Sequence, residues 1–172
     1  MRAALPRRAR VALAALMALC LGGWLLVETG AALGLVRAAV AWRFDDVPRM
    51  GPAALAERIG RAETVRLLDA RTPAEYAVSH LRGAVRVDPD APRWAPVPAG
   101  TTVVVYCAVG YRSAKVARAL RARGLREVFN LDGGVFAWVA DGRAVERAGR
   151  RVAEVHPYDR AWGLLLRGAR AP

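Results

Sequence analysis

The chain has 172 residues, which is enough for one domain of ordinary size with short extensions. Its net charge of +12 rests almost wholly on arginine, with Lys115 as the single lysine, and the arginines are scattered without interleaved aromatic residues, which argues against nucleic-acid binding. The positive charge instead suits small anionic substrates and anionic lipid headgroups. The two cysteines (Cys20, Cys107) and two histidines (His80, His156) lack the spacing of metal ligands, so neither a metal ion nor another cofactor is expected.

A basic start and an apolar run predict a membrane or export signal over residues 1–37. The first ten residues contain four arginines and no acid, and residues 11–27 carry no charge. These seventeen residues are just long enough for a spanning helix, and the apolar character resumes after Glu28 as far as Val36. We favour an uncleaved signal anchor over a cleaved signal peptide. Either places the remainder of the chain outside the cytoplasm, in the periplasm or secreted.

Residues 38–51 are expected to form a juxtamembrane linker, because breakers such as Pro48 and Gly51 interrupt regular structure there. The domain itself is predicted over 52–145, beginning with a short helix over 52–59 that has proline in its first turn.

Strands and helices then alternate along the domain. Thr72 and Glu75 form a capping-box pattern, with Pro73 between them, and predict a helix that runs to about residue 79. Residues 89–100, with four prolines, are expected to be a surface loop, and residues 146–172 a C-terminal tail too short to span a bilayer. The alternation indicates an α/β fold whose mostly parallel sheet carries helices on both faces. The remaining predicted elements are strands at 65–69, 84–87, 101–106 and 128–131, and helices at 113–123 and 134–139.

Cys107 closes the apolar strand 101–106, and six residues, CAVGYR, separate that strand from the helix at Ser113. The carboxyl end of a buried strand and the amino end of a helix is where α/β sheets bind ligands. Backbone N–H groups there point at an anion and favour thiolate over thiol, so Cys107 is predicted to be a nucleophile. The alternative is a small buried hydrophobic residue at the end of a strand.

Three segments, in this order, resemble the rhodanese (thiosulfate sulfurtransferase) family: LLDARTPAEYAVSHLRGAVRVD, VVVYCAVGYRS and VFNLDGGVFAW. The subgroup with an N-terminal export or anchor segment is the most similar. The resemblance implies a three-layer rhodanese-like fold and sulfurtransferase activity. Cys107 would take sulfane sulfur from a small anionic donor, thiosulfate or a persulfide, and pass it from a Cys107 persulfide to cyanide or a thiol. A protein is a further possible acceptor.

The residues that follow Cys107 are expected to bind the substrate: Ala108, Val109, Gly110, Tyr111, Arg112 and Ser113. Arg112 is predicted to attract anions and stabilise the thiolate, with a salt bridge that shapes the loop as the alternative. Asp69 and Arg71 are expected to support the loop as a structural ion pair. Trp138 is assigned to the core, His80 to packing at a turn, and His156 to the surface or to a structural role.

Two other functions stay open at this stage. Phosphatases and arsenate reductases on the same fold use a Cys-x5-Arg loop, one residue longer than the Cys-x4-Arg loop from Cys107 to Arg112. A tighter loop suits one sulfur atom better than a phosphate. Alternatively, the domain is a sulfur carrier, sensor or docking module without small-molecule turnover. Ala108 and Val109 also occupy positions that can carry charge in this family, which argues against thiosulfate as the physiological donor but not against persulfide chemistry.

Overall fold

Five parallel strands form the central sheet of the domain, in the order β1-β5-β4-β2-β3. The structure is a computed structural model that describes residues 6–28, 30–91, 96–98, 100–157 and 163. β4, the middle strand, is buried at every position because helices cover both faces of the sheet. The strands are β1 (Arg49–Met50), β2 (Val65–Asp69), β3 (Val85–Arg86), β4 (Thr102–Tyr106) and β5 (Val128–Leu131).

Helices surround this sheet, and the predicted capping box is present at the start of one of them. The Glu75 amide donates to Thr72 Oγ1, and the Glu75 carboxylate accepts from the Thr72 amide. The α/β prediction is confirmed. The helices are α1 (Arg7–Glu28), α2 (Ala31–Arg43), α3 (Pro52–Gly60), α4 (Pro73–Val78), α5 (Tyr111–Ala122) and α6 (Gly134–Ala140).

Alternation along β4 divides the core into two layers. Val104 and Tyr106 pack on one face with Leu55 of α3 and Phe136 of α6. The intervening residues pack on the other face against α5 and α2, and Cys107 continues that second set. Each fully buried aliphatic side chain contributes about 1.5–3 kcal/mol to stability. The strand period therefore points Cys107 at the layer made by α5 and α2.

The segment expected to be a linker is largely ordered and packed on the domain. α2 continues to Arg43, and β1 adds an edge strand beside β5. Val40 and Phe44 are buried in the second core layer, and Arg37 forms an ion pair of 2.6 Å with Asp132. The expectation of a linker over 38–51 thus differs from the structure, because an apolar stripe of α2 has a partner on the sheet.

The start of the tail is also structured. Strands β6 (Val145–Arg147) and β7 (Arg150–Val152) form an antiparallel hairpin, and Val155 is buried in the first core layer. Glu146 pairs with His80 through an isolated bridge. The apolar stretch 161–166 lies outside the described residues apart from Gly163. The expected loop 89–100 contains no helix or strand in the part that the structure describes.

α1 stands apart from these layers. Its segment Arg7–Val27 has a mean hydropathy of 2.0 and is long and apolar enough to cross a membrane, a property that signal sequences near an N-terminus share. α2 begins only two residues after α1 ends, following Gly30 with a φ of 71°.

Candidate active site

The sulfur of Cys107 lies just beyond the carboxyl end of β4, where it accepts a backbone hydrogen bond and lies beside a serine hydroxyl. The Gly110 amide donates to Sγ at 3.2 Å, and the Ser113 hydroxyl lies 3.4 Å from Sγ. The residue itself is 1% exposed. A backbone donor placed in this way can stabilise negative charge that develops on the sulfur during a reaction.

The loop after Cys107 is shorter than the sequence suggests, since α5 begins at Tyr111 and not at Ser113. Gly110 ends the loop with a φ of 105°, a conformation that residues with a Cβ rarely adopt. Tyr111 and Arg112 therefore lie in the first helical turn. The amino end of α5 adds a partial positive charge of about half a unit near the sulfur.

Asn130, a buried residue of β5, holds this loop in place. Its Nδ2 donates to the Gly110 carbonyl at 3.0 Å, and its Oδ1 accepts from the Ser113 hydroxyl at 2.7 Å. Ser113 is thereby oriented by one group while it faces Cys107 Sγ. The sequence analysis missed this residue. Its only signal was a polar side chain inside an otherwise apolar strand, VFNL.

The start of α6 fixes the loop from the opposite side. The Val135 amide donates to the Cys107 carbonyl at 2.9 Å, and the Phe136 amide donates to the Ala108 carbonyl at 3.1 Å. Gly134 makes this approach possible, because a Cβ there would lie 2.5 Å from the Ala108 carbonyl oxygen and closer still to that of Cys107. The glycine pair seen in the sequence thus brings a helix end against the backbone of the reactive residue.

Arg112 makes a two-pronged ion pair with Glu75 of α4. Its two terminal nitrogens donate to the Glu75 carboxylate at 2.8 and 2.7 Å. Burial acts to raise the pKa of Glu75, but the hydrogen bonds from Arg112 and the Thr72 amide outweigh it and leave that pKa below its ordinary value. Burial likewise opposes the charge of Arg112, yet the carboxylate and Cys107 together raise its pKa. Arg112 therefore stays a cation near the sulfur while its fork is occupied by Glu75.

Only one end of the pair between Arg112 and Glu75 was expected from the sequence. The salt bridge that shapes the loop, kept as an alternative for Arg112, is present in the structure. Glu75 was recognised only as a capping residue, and nothing in the local pattern indicated a partner 37 positions away. Direct attraction of a substrate anion by Arg112 stays a prediction.

Asp69 and Arg71 form a buried ion pair of 2.6 Å at the same edge of the sheet. Arg71 also donates to the Ser79 carbonyl at 2.6 Å, and its guanidinium lies 5.6 Å from the centre of the Tyr106 ring. Since Tyr106 faces the first core layer, this pair braces the sheet edge on the face opposite Cys107. Its support of the active loop stays a prediction.

Two further residues named from the sequence have structural contacts. Trp138 is buried, and its indole N–H donates to the Ala144 carbonyl at 2.8 Å. The His80 ring stacks on Tyr76 with 4.0 Å between the ring centres. His156 is half-buried in the segment after β7. Among the described residues, no group of three His, Cys, Asp or Glu side chains is arranged to hold a metal ion.

A cleft of about 550 Å³ leads to Cys107, and α2 forms one of its walls. Tyr111 stands at the opening, 44% exposed, with its ring edge-on to Phe44 at 5.3 Å. The sequence analysis did not foresee this wall, because it read the residues of α2 as anchor and linker. The cleft is lined by Val36, Ala39, Val40, Trp42 and Arg43 from α2 and by Cys107, Ala108, Val109, Tyr111 and Arg112.

Comparisons with known proteins agree with this geometry. A family model described as a rhodanese-like domain matches residues 51–141, slightly more than half of the chain. A protein named sulfurtransferase from Allochromatium vinosum is 36% identical over 90 residues, which cover 51% of this chain and 84% of that protein. The solved structure of a rhodanese-related protein from Thermoplasma volcanium superposes with a TM-score of 0.51 at 25% identity, covering 58% of this chain and 97% of that one.

Other relatives are larger than the shared region. The probable adenylyltransferase/sulfurtransferase MoeZ of Mycobacterium tuberculosis is 30% identical over 91 residues, which cover 51% of this chain but only 23% of that protein. What the two chains have in common is thus one domain of a longer protein.

Proposed function

This chain belongs to the rhodanese-like domain family, and we propose that it moves sulfane sulfur from an anionic donor to a thiophilic acceptor through a persulfide on Cys107. The family and its sulfurtransferase-named relatives support sulfur transfer as the class of reaction. The main support within the site is the Gly110 amide, which donates to Sγ at the amino end of α5, with the Ser113 hydroxyl 3.4 Å from the same sulfur. Thiosulfate or a persulfide is the proposed donor, and cyanide or a thiol the proposed acceptor.

In the first step the Cys107 thiolate attacks the outer sulfur of the donor. The S–S bond of the donor breaks, and its electron pair departs with sulfite or a thiolate as the leaving group. The acceptor then attacks the outer sulfur of the Cys107 persulfide and restores the thiolate, so no oxidant or reductant is consumed. Both steps spread negative charge over sulfur atoms, which the loop amides and the amino end of α5 stabilise.

Phosphate-ester hydrolysis is disfavoured by the state of Arg112. A phosphatase of this architecture needs a guanidinium fork for the oxygens of a tetrahedral anion. Here both terminal nitrogens of Arg112 donate to Glu75. The spacing of Cys107 and Arg112 is also one residue shorter than in the Cys-x5-Arg loop of those phosphatases, which leaves less room for a phosphate.

We propose further that α1 anchors the protein in a membrane, with the domain outside the cytoplasm. The support is the length and apolarity of Arg7–Val27 together with the arginines that precede and begin it. Its sequence also fits a signal peptide, and the mass of the mature protein distinguishes the two: an intact chain supports the anchor, whereas loss of the first thirty or so residues supports cleavage.

The proposed chemistry is tested by intact mass of the full chain after incubation with a sulfur donor. The full chain is needed because α2 lines the cleft, and a Cys20→Ser background removes the other cysteine. A gain of about 32 Da that cyanide or dithiothreitol reverses is expected, and Cys107→Ser in the same background should abolish it.

The rate at which the loaded sulfur is released to a small acceptor distinguishes an enzyme from a sulfur carrier. Rapid cyanide- or thiol-dependent release of the loaded sulfur supports the enzyme, whereas loading without such release supports a carrier or sensor that passes sulfur to a protein. Failure of thiosulfate, polysulfide and glutathione persulfide alike to load Cys107 would exclude sulfur transfer.

A further inference from the structure

α2 lies outside the region matched by the family model, yet it supplies half of the cleft wall that leads to Cys107. The volume of about 550 Å³ falls within the range typical of sites for small organic molecules, roughly 300–1,000 Å³. A bare sulfur anion needs only the loop around Sγ. The additional space between α2 and the loop therefore suits an organic substituent attached to the reacting sulfur.

This wall is held firmly against the domain. Leu33 and Val40 of α2 are buried in the two core layers, one in each. Arg37 is tied to Asp132 at 2.6 Å, and Phe44, directly after the helix, is 3% exposed. The cleft is thus largely formed before any ligand arrives, which lowers the entropic cost of binding.

Most of the side chains that line the cleft are apolar. Val36, Val40 and Trp42 line it together with Ala108 and Val109. Trp42, which also lines the cleft, is 83% exposed and is therefore accessible to a ligand there. Such surfaces bind apolar groups and offer nothing to a strongly hydrated anion.

Positive charge at the cleft is sparse, which disfavours a dianion such as thiosulfate. Glu75 occupies the fork of Arg112. Arg43 lies at the rim with its guanidinium 5.3 Å from the centre of the Phe44 ring. Because Glu75 balances the charge of Arg112, the lining keeps one unbalanced positive charge, from Arg43, which matches a singly charged ligand better than a dianion.

We propose that the sulfur donor is an organic persulfide, R–S–SH, whose apolar R group lies between α2 and the Cys107 loop. This inference rests on the proposed function. The Cys107 thiolate attacks the terminal sulfur of R–S–SH, the new Sγ–S bond forms, and the S–S bond of the donor breaks. The electron pair leaves with R–S⁻, and the proton stays on the transferred sulfur as Cys107–S–SH. α2 selects the donor by its side chains, while the loop performs the transfer.

The test compares donors on the full chain in phosphatidylcholine nanodiscs, in the Cys20→Ser background. Rates of Cys107 loading are measured by intact mass with benzyl persulfide, cysteine persulfide and thiosulfate. Benzyl persulfide is expected to load at least tenfold faster than the other two. Equal rates for all three donors would overturn the inference and leave sulfur transfer intact, whereas the absence of loading by any donor would remove both proposals.

Variants of α2 test whether this helix selects the donor. Ala39→Arg places a bulky cation in the cleft, and Trp42→Ala removes part of its wall; both residues are exposed, so both variants should fold. Each is expected to lower the ratio of benzyl persulfide to thiosulfate loading at least fivefold. The matched control is Ala38→Arg, at an exposed position of the same helix that does not line the cleft, and it should leave the ratio unchanged. A ratio that falls equally in the control, or in none of the variants, contradicts selection by α2.

Discussion

Replacing Gly134 by alanine should loosen the loop that holds Cys107, and the size of the effect follows from the contacts. The left-handed backbone, with a φ of 59°, costs a residue with a Cβ about 1 kcal/mol. The new Cβ would also lie 2.5 Å from the Ala108 carbonyl oxygen, so α6 must move away. The two hydrogen bonds from α6 to the carbonyls of Cys107 and Ala108 would then weaken or break, at about 1 kcal/mol each. The expected loss of unfolding free energy is about 3 kcal/mol.

Gly142→Ala is the matched control. Gly142 has a similar φ of 72°, but a Cβ there has no atom within 4 Å. That variant should therefore lose only the backbone contribution of about 1 kcal/mol. Equilibrium urea unfolding of both variants measures the difference, and the rate of Cys107 loading should fall in Gly134→Ala alone. Equal destabilisation of the two variants, with normal loading in both, would refute the close approach of α6 to the reactive loop.

Two substitutions test the other supports of the site. Asn130→Asp keeps the size of the side chain but places a carboxylate oxygen against the Gly110 carbonyl. It should lower the free energy of unfolding in urea by about 1–3 kcal/mol and slow Cys107 loading. Normal stability with normal loading would contradict the role of Asn130 in holding the loop. Glu75→Gln should weaken the pair with Arg112 and destabilise the protein near pH 7 by about 1–3 kcal/mol. Because the pKa of Glu75 is below its ordinary value of 4.5 in the folded protein, its stabilisation is present above that value and is lost as the pH falls through the lower folded pKa. The difference between wild type and Glu75→Gln in urea unfolding should therefore shrink on acidification below about pH 4.5, and a constant difference down to pH 3 would contradict this assignment.

The central part of the fold could be predicted because its signals are local. The strands predicted at 65–69 and 128–131 match the observed strands, and the capping box at Thr72 matches the start of α4. Such patterns depend on residues a few positions apart, which is the distance over which strand alternation and helix caps operate. The same reasoning located the turn that carries Cys107.

The position of α2 could not be predicted in this way. Its segment Ala31–Arg43 follows an apolar helix and is itself apolar on most faces, so the stripe that contacts the domain is hidden in the composition. The breakers that suggested a linker, such as Pro48, in fact follow the helix and lead into β1. The contacts of Glu75 with Arg112 and of Asn130 with Gly110 join distant parts of the chain, and only the fold brings them together.

The short connection between α1 and α2 limits the distance between the cleft and the end of α1. Two residues separate the helices, and the 13 residues of α2 rise only about 1.5 Å each, so the cleft lies within roughly 20 Å of the end of α1. A flexible linker would let a membrane-anchored domain move through a larger volume and take many orientations relative to the bilayer. If α1 is an anchor, the docked α2 would instead keep the reactive sulfur in a layer beside it, within about that distance. If α1 is embedded in a bilayer, the opening of the cleft would meet molecules that partition into that layer before it meets those dissolved farther away.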